Sequence, residues 1–151
     1  MKKVVARIGV LLLFLFLIMQ LYQPNRNVDP RFTKKKSLFT IAKTPKNVEN
    51  ILKNSCTDCH TNNTNYPLYS FVQPIRYFID GHIKGGKENL NFDEWAEYSQ
   101  RKRNSKIERI ISQIEKDEMP LRSYTLIHRN AILNENQKTT IINYFKNLKN
   151  E

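Results

Sequence analysis

Cysteine and histidine are scarce in this chain, with two Cys and three His among 151 residues. Cys56, Cys59, His60, His82 and His128 are the whole stock of thiol and imidazole ligands. A structural zinc site takes four N or S ligands, usually as two paired clusters, and these five residues would make only an oddly spaced mixed one. No cysteine closes the apolar N-terminal run, which argues against a lipoprotein. No strand-like alternation with hairpin signals appears, and no internal repeat. A thioredoxin-like use of the two cysteines would call for a βαβ pattern, and there is none.

Acidic residues are also few, 14 against 25 Lys and Arg, for a net charge of +11. Most of that excess lies early: residues 1–36 carry +7 and residues 37–151 only +4. Nucleic-acid binding calls for a concentrated basic face, so a mildly basic domain gives no reason to expect that partner.

Lys2, Lys3 and Arg7 precede an apolar run from Ile8 to Met19, with Leu21 and Tyr22 beyond it. A basic flank before such a run reads as a secretory signal or a single membrane anchor. No small-x-small cleavage site follows, so an uncleaved anchor is preferred, spanning from Val4 to Tyr22. The positive-inside tendency then places everything after Tyr22 on the periplasmic or extracytoplasmic side. A cleaved signal would instead release the domain into the periplasm. The expected organisation is 1–22 as signal anchor or signal peptide, 23–43 as a tether and 44–151 as the domain.

Cys56-Thr57-Asp58-Cys59-His60 has the C-x-x-C-H spacing of c-type haem attachment. Each cysteine can hold one haem vinyl group as a thioether, and the adjacent histidine can reach the iron from the proximal side. Upstream, Thr44-Pro45 reads as a helix start, and Val48, Ile51 and Leu52 place an apolar stripe on a short helix leading into Cys56.

Downstream, Pro74 opens a helix on which Ile75, Phe78, Ile79, His82 and Ile83 share one face, ended by Gly85-Gly86. Asn91 can cap a third helix that buries Phe92, Trp95 and Ala96. Arg101-Lys102-Arg103 reads as a solvated connection. Ser105 and Glu108 then form a capping-box pattern before Ile107, Ile110, Ile111 and Ile114. Asn134 and Gln137 mark the last helix, with Ile141, Ile142, Phe145 and Leu148. The expected fold is all-α: a small cytochrome c-like helical domain around one covalently bound haem, after an N-terminal anchor or signal helix.

For the sixth iron position the candidates are Met119, His82 and His128. Met119 is favoured because it stands in a loop before Pro120, between residues that are not core-like. A thioether ligand also raises the potential relative to bis-histidine ligation. His82 is the alternative, although a histidine on an apolar face is by default a core residue.

From Cys56 to the final helix the sequence resembles the bacterial haem-binding domain family of small exported c-type cytochromes. The resemblance lies in Cys56-Thr57-Asp58-Cys59-His60, Asn65-Tyr66-Pro67-Leu68-Tyr69-Ser70, Gly81-His82-Ile83 with Gly86-Lys87, Leu90-Asn91-Phe92-Asp93-Glu94-Trp95, and Glu118-Met119-Pro120 followed by Tyr124 and His128. It implies covalent haem at Cys56 and Cys59 and proximal ligation by His60. Asn89 departs from the pattern, where His is expected. The function expected is a non-enzymatic electron carrier exchanging single electrons with redox partner proteins outside the cytoplasm. A peroxidase-like enzyme or a gas or redox sensor with an open distal site is the alternative.

Overall fold

The computed structural model describes residues 1–30 and 34–150, and every regular element among them is helical. Helix α1 is Lys2–Met19, α2 Leu38–Ile41, α3 Lys46–Ser55, α4 Thr57–His60, α5 Ile75–Asn89, α6 Gln100–Glu115, α7 Arg122–Thr125 and α8 Glu135–Asn150. A 3₁₀ segment, Phe92–Glu97, lies between α5 and α6.

The core forms where the apolar stripes of these helices converge. Val48 and Leu52 of α3, Ile107 and Ile114 of α6, and Ile141 and Phe145 of α8 are buried together with Phe92 and Trp95. Helix α8 packs on both α6 and α3. Its start is the reciprocal cap expected from the sequence: the Asn134 amide N–H donates to Gln137 Oε1 (3.0 Å) and the Gln137 N–H to Asn134 Oδ1 (2.9 Å). Asn91 likewise caps the 3₁₀ segment by accepting from the Asp93 N–H.

Three helix boundaries differ from expectation. Helix α3 starts one residue later, with Pro45 as its N-cap. Ser99, not Ser105, caps α6, because its hydroxyl accepts from the Lys102 N–H; Arg101-Lys102-Arg103 is therefore helical. Helix α5 runs through Gly85 and Gly86 to Asn89. Its stripe is also less buried than its periodicity suggests: Ile83 is buried, while Ile75, Phe78 and His82 are exposed.

Residues 20–22 at the end of the expected anchor and 23–29 at the start of the expected tether are hydrogen-bonded to the domain, while residues 31–33 of that tether lie outside the described residues. The Gln20 side chain donates to Gln73 O and accepts from the Gln73 N–H, and Gln73 Nε2 donates to Tyr22 O. Asn27 fastens the 61–67 turn. Its Nδ2 donates to Thr61 O (2.8 Å) and Thr64 Oγ1 (2.9 Å), its backbone N–H to Tyr66 OH, and its Oδ1 accepts from Lys87 Nζ (2.6 Å). An isolated antiparallel bridge joins Val28 to Asn63. Leu38 is fully buried in the core. The contacts of residues 20–29 are polar and join residues distant in the chain, and hydropathy does not register them.

Helix α1 buries no side chain. It begins on Lys2, carries Lys3 and Arg7, and stops at Met19, short of the Tyr22 limit expected for a span. Among the described residues no helix is long and apolar enough to cross a membrane.

Candidate functional site

The motif is built at the junction of α3 and α4. Helix α3 ends at Ser55, and Cys56 is both its C-cap and the N-cap of α4. The tight turn closes through the Cys59 and His60 N–H groups, both donating to Cys56 O. This brings Cys56, Cys59 and His60 to one wall of a cavity of about 380 Å³, within the range of cofactor pockets.

Helix α5 forms the adjoining wall through Gly81, His82, Gly85 and Gly86. Glycine inside a helix costs about 1 kcal/mol relative to alanine, so each of these needs a structural reason. Gly86 has a steric one: a Cβ there would lie 2.7 Å from Cys59 O and 3.2 Å from Cys59 Cβ. At Gly81 and Gly85 an added Cβ meets nothing within 4 Å. Both line the cavity, so they leave bare helix backbone where a flat occupant can lie close.

His60 is oriented by that contact. Its Nδ1 is 3.0 Å from both Gly86 O and Leu90 O. Carbonyls only accept, so Nδ1 carries the proton and Nε2 keeps its lone pair, the tautomer a metal-ligating histidine needs. Phe92 packs edge-on against the ring. Burial holds the His60 pKa below its ordinary value, against the opposing pull of the Leu90 and Gly86 carbonyls.

In the haem-free chain the unfolded state therefore takes up this proton first as pH falls. Stability fully present above about pH 6.5 is lost below it, with a slope of at most about 1.4 kcal/mol per pH unit from this group. Urea unfolding across that range should show the loss, and His60→Gln should reduce the slope. An unchanged slope in the variant would remove His60 as its source.

Both cysteine thiols are free. Burial pushes Cys56 up to about 12, with Cys59 adding to it, and Cys59 up to about 11, with Asp58 adding. They are neutral thiols, unlike the thiolates of redox-active pairs. Among the described residues no group of three or more His, Cys, Asp or Glu side chains is placed to hold a metal ion.

The third wall comes from α6 and the loop after it. The end of α6 is a Schellman motif with Asp117 in the left-handed region (φ 55°) at the position beyond the C-cap. The Glu118 N–H donates to Gln113 O (2.9 Å) and the Asp117 N–H to Ile114 O (3.2 Å). Met119 N–H also reaches Gln113 O (3.2 Å). The loop thus brings Met119, Pro120 and Leu121 to the cavity, where Ile110 and Ile114 of α6 continue the apolar lining.

Asp58, inside the motif, ties that wall to the first. Its Oδ2 accepts from Tyr124 OH (2.7 Å) and its Oδ1 from the Asn65 N–H (3.2 Å). Burial, then the Asp58 hydrogen bond, hold the Tyr124 phenol far above the usual tyrosine range.

Of the ligand candidates, Met119 and His82 line the cavity and His128 does not. His128 is stacked on Tyr124, ring centroids 4.2 Å apart, and its Nε2 is hydrogen-bonded to Tyr69 OH. His82 is exposed at the cavity edge rather than a core histidine. Sequence reasoning missed the roles of Asp58 and Gly86, and only the Gly85-Gly86 pair inside an otherwise helical pattern could have hinted at a close approach.

A half-buried histidine with a free Nε2, two thiols on the same turn and a glycine-smoothed apolar cavity fit an all-helical domain that holds a flat, metal-centred cofactor. The model of the family described as Haem-binding domain matches residues 14–147. The chain belongs to that haem-binding domain family. The matched region includes residues 20–29, in keeping with their docking on the domain. Neither the curated proteins nor the solved structures compared with the chain contain a match.

Proposed function

We propose that the chain is an extracytoplasmic monohaem c-type cytochrome that carries single electrons. The observation that carries this reading is the placement of Cys56, Cys59 and the Nδ1-bonded His60 on one wall of the cavity. In this reading Cys56 and Cys59 hold the haem as thioethers and His60 Nε2 is the proximal ligand. The haem supplies a one-electron iron couple.

Met119 is the distal ligand we favour over His82. Helix α5 already supports His60 through Gly86, so His82 belongs to the proximal helix. Met119 comes from a separate loop fixed to the end of α6. With His60 and Met119 both holding a bound haem, the site would exchange electrons without admitting a substrate, so no catalytic residue is assigned. His82 at the cavity edge supports the competing reading, a peroxidase-like enzyme or sensor with an open distal side. For location, the support is the basic flank and an α1 whose apolar side chains find no cover in the domain. We read this segment as an export signal or membrane attachment, and redox proteins outside the cytoplasm as the partners.

A pyridine haemochrome assay on the protein made with a c-type maturation system tests the attachment, with one haem per chain expected. Met119→Ala should abolish the methionine-to-iron charge-transfer band of the oxidised protein and allow carbon monoxide to bind the reduced one. Identical spectra in the two proteins would remove Met119 as ligand. Carbon monoxide binding to the unsubstituted protein without ligand displacement would favour the open-site reading.

A further inference from the structure

We propose that Lys106 and Arg109 form an anion-binding edge of the cavity that takes the haem propionate carboxylates; this rests on the haem reading above. Both residues line the cavity and lie three apart on α6. Both are turned toward the end of α5: Lys106 Nζ donates to Asn89 O, and Arg109 Nη2 to Asn89 Oδ1 (3.2 Å).

Neither forms an ion pair among the described residues. Glu108 is on the same helix but is paired with Lys149. Among the described residues Asp58 is the one carboxylate lining the cavity, and it accepts from Tyr124 and Asn65. Lys102 adds a further positive charge on α6, over the Tyr98 ring. Burial and these neighbouring cations hold the Lys106 ammonium below its usual pKa.

The cavity therefore offers two cations that have no anionic partner among the described residues. A haem supplies the complement. Its two carboxylates stand on the edge of the macrocycle away from the vinyl groups, so a macrocycle joined at Cys56 and Cys59 directs them to another wall. Arg and Lys bind carboxylates through charge-assisted hydrogen bonds, and Asn89 holds both side chains at the cavity edge.

The test uses the full-length chain carrying Cys56→Ala and Cys59→Ala, so that binding is reversible, titrated with haem and with haem dimethyl ester. Adding Lys106→Gln and Arg109→Gln should weaken haem binding on the order of tenfold or more while leaving ester binding unchanged. Lys106→Arg with Arg109→Lys should restore the preference for the free acid. Equal changes for both ligands, or none, would overturn the propionate assignment and leave haem binding standing. Failure of a helical, folded chain to bind either ligand would instead overturn the haem reading. If the cysteine-free chain does not fold, the midpoint potential of the covalently loaded protein decides. The glutamine pair should favour the ferric form about tenfold, equivalent to ~59 mV for one electron, and an unchanged potential overturns the proposal.

Discussion

Replacing Gly86 by valine should abolish haem incorporation, and Gly86→Ala should destabilise the chain by about 2 kcal/mol. The cause is the 2.7 Å that would separate a new Cβ from Cys59 O. That atom is backbone inside the motif, so it cannot rotate aside as a side chain would. Relief requires α5 and α4 to part, which breaks the Gly86 O···His60 Nδ1 contact and frees the imidazole to turn.

The intrinsic helix gain of alanine over glycine, about 0.5–1 kcal/mol, offsets only part of the cost. Gly85→Ala is the control, because its Cβ meets nothing within 4 Å; in the haem-free chain it should be neutral or stabilising. Urea unfolding and haemochrome content would check both variants. Equal stability of the two would mean that α5 does not press on the motif.

Asp58→Ala should cost about 2–3 kcal/mol, the loss of hydrogen bonds to a charged acceptor together with the donors left behind. The Tyr124 hydroxyl and the Asn65 N–H both lose their acceptor. The effect reaches the cavity, since Tyr124 and Leu121 line the wall that continues from Met119 and Pro120. The phenol of Tyr124 should also titrate at lower pH than in the parent, though still above the usual tyrosine value, because burial remains. An ultraviolet phenolate titration of the haem-free chain reads this directly. Asp58→Asn keeps a carbonyl acceptor and should retain most of the stability. A phenol that titrates identically in Asp58→Ala and the parent would show that the two walls are not joined there.

The grouping of candidate site residues and the helical elements were legible wherever they were local in the chain. Cys56, Cys59 and His60 are adjacent, and the stripes on α3, α6 and α8 follow the helical period. Asn134 with Gln137 and Asn91 with Asp93 are caps that act over two or three residues, and both are present. Contacts between distant residues were not legible. Gly85 and Gly86 looked like a helix end because glycine usually breaks helices, and only the nearness of Cys59 explains Gly86 inside one. Arg101 to Arg103 looked like a loop because charge alone does not separate a solvated helix face from a connection. The attachment of residues 20–29 depends on side-chain amides meeting backbone groups some fifty positions away, between Gln20 and Gln73 for example.

That attachment has a mechanical consequence. A leash of twenty residues would let a domain swing through a wide volume and visit partners by its own motion. Here residues 20–29, which could have been slack, are held on the domain's surface, beginning at Gln20, one residue past the end of α1. In the reading proposed above, whatever holds α1 would also set the bearing of the cavity mouth, and a redox partner would have to travel to it.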